Sequence, residues 1–282
     1  MKRDKEMLKS IGHDLRKELF KTLYKGKGGH YGASLSVIEI LTALYFGDVM
    51  NYDSHNPQDP DRDRFILSKG HGAVALYVTL NRAGFFSKTI LSTYGKLDTE
   101  LGTLPKRNVN LGIEATTGSL GHGFGFAGGI ALAGKLNHKD YRVFTLIGDG
   151  ECQEGSIWEG ALFASHNNLG NLCAVIDYNR LQASDQLDKI IQMEPIAEKW
   201  KAFGWEVMEV DGHNISELIT VLKKPCDKKG KPRAIIAYTT KGKGISFMEN
   251  SPMWHNRIPN EKELKIALQE LGIREEELML DG

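Results

Sequence analysis

Two stretches place oxygen-bearing side chains where a parallel sheet would present them. The apolar run Val143-Phe144-Thr145-Leu146-Ile147 leads directly into Gly148-Asp149-Gly150. A second run, Leu172 to Ile176, ends in Asp177-Tyr178-Asn179. Both runs read as buried strands. In open α/β sheets ligands bind outside the carboxyl ends of the strands, so the two loops point to one edge. The glycines let a phosphate approach the backbone around Asp149. Asp149 offers a hard carboxylate oxygen, Asn179 an amide oxygen and the Leu181 carbonyl a third. Oxygen ligands with few charges suit Mg²⁺ or Ca²⁺ whose remaining positions are filled by phosphate oxygens and water. The competing reading is a pair of turns: Asp-Gly is a common turn dipeptide, and Asn often caps a turn after a strand.

Histidines supply a second candidate set. His30 and His71 each sit in a glycine-rich break just before a helix, and His255 follows Trp254 in a polar loop. Such loops often hold functional groups in α/β folds. Imidazole changes charge near physiological pH, which suits proton transfer. His122 reads as a packing or backbone-bonding residue. His13, His55, His138, His166 and His213 suggest no role. The run Gly123-Phe124-Gly125-Phe126-Ala127-Gly128 fits GxGxxG. It lacks the preceding strand that a dinucleotide fingerprint requires, and reads as close helix packing.

The elements that position these residues follow from periodicity. Leu8, Ile11, Leu15, Leu19 and Leu23 recur at helical spacing and stop at Lys25-Gly26-Lys27-Gly28-Gly29. Ser36 to Phe46 predicts a second, largely buried helix with Ser34 or Ser36 as N-cap. Asn51 to Arg64 is polar loop, and Arg64 to Ser68 a short strand leading to Lys69-Gly70-His71-Gly72 and a helix over Ala73–Ala83. Leu101 to Asn110 reads as loop, and a helical stretch covers Ala131 to Leu136. Then come a strand over Arg142–Ile147, a helix over Ser156–Asn167 and a strand over Leu172–Ile176. Strands over Glu206–Val210 and Ala234–Tyr238 flank a helix over Ile215–Lys223. Cys226–Pro232 reads as a charged surface turn, and Asn260–Leu280 as a charged helical tail. Short β-rich runs alternating with helices predict an α/β fold, a mostly parallel sheet with helices on both faces, in one domain over residues 1–282.

Bulk properties narrow the function. The chain has 282 residues, 41% of them hydrophobic, enough for a large core. Lys+Arg and Asp+Glu both number 36, which argues against a nucleic-acid binder and leaves self-association open. Three cysteines without CxxC spacing fit a reducing cytoplasm. The first residues carry scattered charges and no apolar core of a signal peptide, and no apolar run is long enough to span a bilayer.

GDG, about thirty residues and then an Asn after an apolar strand resembles the thiamine diphosphate binding motif. The usual motif ends in Asn-Asn; Tyr178 stands at the first of these positions. GGHYGASLSVIEIL, ILSKGHGAVALY, ATTGSLGHG, GDGECQEGSIWEG, TTKGKGISFMEN and WHNR are together similar to the N-terminal half of transketolase, in the family's order, over roughly Lys9 to Arg257. The resemblance implies a thiamine diphosphate-binding fold. It implies metal ligation by Asp149, Asn179 and the Leu181 carbonyl, and cofactor contacts from Gly148, Gly150, Glu151, Gly118, Leu120, His71 and His255. His30, His71 and His255 match histidines of the substrate channel. Glu154 and Glu159 match acidic residues near the subunit interface that communicate between paired active sites.

The implied activity is transfer of a two-carbon ketol unit from a ketose donor to an aldose acceptor. The pyrimidine-binding half of transketolase has no counterpart after Arg257. A separate C-terminal subunit in an α2β2 assembly is therefore expected. The family's Gly-His-Pro stretch is replaced by Leu101-Gly102-Thr103-Leu104-Pro105-Lys106-Arg107, with no His. This raises the alternative of a changed donor or acceptor, pyruvate-derived acetyl or an unusual sugar, unless Thr103 restores the lost hydrogen bond. A non-catalytic scaffold and one half of a 2-oxo acid decarboxylase are the other readings.

Overall fold

The computed structural model describes residues 4–225 and 230–279. The first helix, α1 (Lys5–Lys25), starts where the Asp4 carboxylate accepts the Met7 N–H at 2.7 Å, and it buries the predicted leucine stripe. The expected single helix over Ser36–Phe46 is instead two, α2 (Tyr31–Leu35) and α3 (Ile38–Phe46). Neither serine caps α3. Ser36 Oγ is drawn to the Asp177 carboxylate at 2.8 Å, and Ser34 Oγ is buried without a partner. The break turns residues 30–36 toward the strand ends.

Strand β1 (Arg64–Leu67) leads to α4 (Ala73–Ala83) and the short α5 (Lys88–Leu91). Helix α6 (His122–Leu136) starts earlier than the sequence predicts and takes in the GxGxxG run. Of those glycines only Gly123 is a packing device: a Cβ there would lie 2.7 Å from the Ser68 Cα, whereas one on Gly125 would meet open space. His122 does not pack. It is the exposed first residue of α6.

Then follow β2 (Val143–Gly148), α7 (Gly155–His166), β3 (Leu172–Tyr178), α8 (Leu187–Ile190), α9 (Ile196–Ala202), β4 (Glu206–Asp211), α10 (Ile215–Leu222) and β5 (Arg233–Tyr238). Helices α11 (Glu261–Leu271) and α12 (Glu276–Met279) end the described chain. Residues 226–229 of the predicted turn and Leu280 of the predicted tail lie outside the described residues.

All five strands are parallel, in the order β1-β2-β3-β5-β4, so every carboxyl end faces one edge. Both faces are covered. Phe65, Leu67, Phe144, Leu146, Val175 and Ile235 share a core with α1, α3, α4 and α10; the alternate residues Ile66, Val143, Ile147, Ala174, Ile176 and Ile236 share another with α6, α7 and α9. Two-sided burial explains the continuous apolar runs. Each fully buried Leu, Ile or Phe contributes roughly 1.5–3 kcal/mol. The charged tail docks on α1. Asn260 and Glu263 form a capping box, Leu268 and Leu271 are buried, and Lys17 Nζ reaches the Gly272 carbonyl at 3.2 Å. Among the described residues no helix is long and apolar enough to cross a membrane.

Candidate cofactor and active site

Four adjacent strands deliver one polar residue each to the common edge. Lys69 follows β1, Asp149 follows β2, Asn179 follows β3 and Lys241 follows β5. They line one cavity of about 440 Å³ with His30, His71, His255, Gly118, Leu120, Gly148, Gly150, Glu151, Leu181 and Gln182. Every residue singled out from the sequence for catalysis, cofactor or metal is therefore in one place. Glu154 and Glu159 are not. They are exposed at the start and on the outer face of α7.

Buried carboxylates organise the floor. Asp177 receives Lys69 Nζ, Thr239 Oγ1, Ser36 Oγ and, at 3.0 Å, Asn179 Nδ2. Burial pushes its pKa up, but the Lys69 ammonium and these donors outweigh it and hold Asp177 below the usual carboxylate range. The Asn179 amide is thereby fixed, and its oxygen accepts the Leu181 N–H at 3.1 Å. Glu151 accepts Ser68 Oγ at 2.6 Å, the Gly121 N–H at 2.8 Å and the Gly148 N–H at 3.0 Å. One carboxylate thus ties the loops after β1, before α6 and after β2, and burial raises its pKa.

Asp149 is 3% exposed and faces no cation directly. Its oxygens accept the Gly150 N–H at 2.7 Å and the Arg180 N–H at 2.5 Å. Burial, reinforced by nearby Asp177, raises its pKa to about 7. A carboxylate so placed gains from an added cation. Lys241 Nζ, opposite, meets only oxygens and nitrogens without full charge: the Gln182 carbonyl at 2.7 Å, the Leu181 carbonyl at 3.3 Å and His255 Nδ1 at 3.4 Å. Burial and the Lys69 charge hold its pKa down to about 8. It gains from an added anion.

The three imidazoles form a triangle, with ring centroids 5.0 Å apart for His30–His255, 5.5 Å for His71–His255 and 5.6 Å for His30–His71. Burial and the neighbouring lysines lower all three pKa values, that of His255 to about 4. Neutral rings both accept and donate, as groups recognising hydroxyls must.

The donor set fits a metal diphosphate. Asp149, Asn179 and Leu181 supply one carboxylate and two neutral oxygens, and Lys241 supplies positive charge, whereas Lys69 is paired with Asp177. His30 Nδ1 and Gln182 Nε2 are buried polar atoms without a partner among the described residues. Gly118, at φ 147°, lets its loop pass close to Leu104, whose Cδ1 would lie 2.6 Å from a Cβ there. Among the described residues no three His, Cys, Asp or Glu side chains are grouped to hold a metal by themselves. The loop that lacks the family histidine also reaches the cavity, through Thr103 and Leu104, and Tyr77 Oη pins it by the Gly102 and Leu104 carbonyls.

The sequence reading missed Lys69, Asp177, Gln182 and Lys241. The signal for the lysines was present: SKGHG and TTKGKG each place a lysine just past a strand, by the same rule that found Asp149 and Asn179.

The fold and cavity define an α/β chain with a site for an anionic cofactor at the carboxyl edge of a parallel sheet. Residues 10–280 match the family described as transketolase, thiamine diphosphate binding domain. The chain belongs to the transketolase family. It is 41% identical over 263 residues to an apulose-4-phosphate transketolase subunit from Phocaeicola vulgatus, covering 93% of each chain. It is 43% identical over 257 residues to 6-deoxy-6-sulfo-D-fructose transketolase subunit SqwG of a Clostridium species, covering 91% of this chain and 93% of that one. The transketolase structure from Campylobacter jejuni superposes with a TM-score of 0.88 at 28% identity, over 96% of this chain. The chain spans only 43% of that transketolase's length.

Proposed function

We propose that this chain is the diphosphate-binding subunit of a split transketolase, one domain that moves two-carbon ketol units only with a second polypeptide. The observation that carries this reading is the cavity itself: opposed but unpaired charges, Asp149 and Lys241, beside three neutral imidazoles. Coverage of 93% of each of two relatives named as subunits supports the split. Asp149, Asn179 and the Leu181 carbonyl hold Mg²⁺, Gly150 offers its backbone to the diphosphate, and Lys241 balances its charge. Gly118 and Leu120 lie against the aminopyrimidine. Thiamine diphosphate, when bound, supplies the carbon-centred chemistry that breaks and remakes the ketose carbon–carbon bond. His30, His71 and His255 orient sugar hydroxyls and pass protons to and from them.

The partner subunit brings the pyrimidine-binding half, in an α2β2 assembly in the cytoplasm. Phe126, Leu162 and Phe163, exposed on α6 and α7 beside Glu159, support an assembly surface there. Ordinary ketose and aldose phosphates are the first-choice substrates. Leu104 at the cavity wall favours, as second reading, a donor with an altered end. Assaying the assembled enzyme with ketose phosphates and with pyruvate tests both. Turnover of ketose phosphates alone supports the first, preference for pyruvate or another donor supports the second, and no transfer with any donor contradicts both.

A further inference from the structure

The cavity's least explained feature is how Lys241 is held. Its ammonium meets no carboxylate partner among the described ion pairs; the Gln182 and Leu181 carbonyls and His255 Nδ1 hold its tip, and its backbone fixes its stem. That backbone is a strap, residues 239–243, tethered at every residue. Thr239 Oγ1 donates to Asp177, and the Thr240 N–H donates to His213 Nε2 at 2.8 Å. The Lys241 carbonyl accepts the Asn250 N–H at 2.9 Å, and the Gly242 N–H donates to the Gly32 carbonyl at 3.0 Å. The Lys243 carbonyl accepts Arg16 Nε at 2.9 Å. Gly242, at φ 80°, permits the tight path: a Cβ there would lie 2.2 Å from the Met248 carbonyl oxygen.

Two of these tethers belong to one buried relay and flank Lys241. Because His213 Nε2 accepts the Thr240 N–H, its proton sits on Nδ1, which donates to Glu39 Oε2 at 2.9 Å. The other Glu39 oxygen takes Arg16 Nη2 at 2.7 Å, and Arg16 also grips Lys243. Arg16 lies on α1, Glu39 on α3 and His213 just past β4, the one strand that sends no side chain into the cavity. The edge strand thus acts on the site at second hand. We infer that His213 is a positioning residue for Lys241, acting through the Thr240 backbone, with Glu39 and Arg16 fixing its ring. A long, flexible lysine meets a ligand at low entropic cost only when its stem is fixed. The inference rests on the reading that Lys241 meets the cofactor's diphosphate.

The test titrates thiamine diphosphate with Mg²⁺ into the full chain by calorimetry, for the native protein, Lys241→Ala, His213→Ala, His213→Gln and the double alanine variant. His213→Ala is expected to weaken binding about tenfold, the worth of one well-placed hydrogen bond. The double variant should bind no more weakly than Lys241→Ala alone, and His213→Gln, which keeps an acceptor for Thr240, should recover most of the loss. A further tenfold loss in the double variant overturns the inference but leaves the role of Lys241 standing. Unchanged affinity in Lys241→Ala removes that role and the inference together. Hydrogen exchange over residues 239–244 gives a readout independent of cofactor. It should quicken in His213→Ala and not in His213→Gln, and unchanged exchange in His213→Ala overturns the relay.

Discussion

The two ends of the sheet both bury charge, and they treat it in opposite ways. At the amino ends the buried charges Arg62, Asp63 and Arg233 are closed by the protein itself. Arg62 pairs with Glu114. Asp63 takes Arg142 Nη2 at 2.7 Å and the backbone N–H groups of Arg142 and Asn51. Arg233 reaches Glu206 at 3.0 Å and the Lys224 and Pro225 carbonyls. In the cavity at the carboxyl ends, Lys69 and Asp177 are closed in this way. Asp149, Lys241 and the three histidines are left with dipoles or with nothing, and their pKa values shift accordingly. A buried ion that lacks its counter-ion costs stability. The fold carries that cost at the edge where a ligand brings both missing charges.

The sharpest way to break this contrast is to open a closed pair. Arg62→Met leaves Glu114 buried and unpaired, and should cost about 3–5 kcal/mol in urea unfolding while leaving thiamine diphosphate affinity of the folded protein unchanged. A loss of affinity at full stability would erase the distinction between the two ends. The reverse change, Asp149→Asn, should cost about 100-fold in affinity for thiamine diphosphate with Mg²⁺, by calorimetry, with stability held within about 1 kcal/mol.

Acid tests the same point. The folded pKa of His255 is about 4, below its unfolded value, so the unfolded chain binds more protons between those limits. Stability from this group is present above the ordinary histidine range and is lost as pH falls through that range toward about 4. Asp149 runs the other way. Its folded pKa is raised, so its contribution is lost as pH rises through about 7. Comparing the urea midpoints of the cofactor-free native chain and His255→Gln from pH 8 to pH 5 isolates the imidazole: the native chain should lose more on acidification. The smallest effect is expected on α7. Glu154→Ala and Glu159→Ala are exposed changes and should shift stability by no more than about 0.5 kcal/mol, with any consequence confined to assembly mass by light scattering.

The sequence displayed the sheet well because both its faces are buried, and continuous apolar runs with glycine-rich ends are unambiguous. Asp149 and Asn179 were legible by the same logic. The break at Ser36 and the early start of α6 were not. Ser36 answers to Asp177, 141 positions away, and Gly123 at the start of α6 answers to Ser68, just past β1, which lies against it. Local preference contains neither fact. His213 drew no attention for a similar reason. It lies in an ordinary Asp-Gly-His turn, and its partners Glu39 and Thr240 come from different elements. The lysines were missed although their strand-end positions were readable, because a basic residue in a loop is commonly just solvated.

The open-charged cavity is proposed to bind thiamine diphosphate as half of a two-chain site. Native mass spectrometry of the tagged chain, purified from its own cells with thiamine diphosphate and Mg²⁺, tests it most directly. The account predicts a complex with a second polypeptide that carries the cofactor's mass and loses it in Asp149→Asn. A cofactor-free homo-oligomer with no second chain would contradict it.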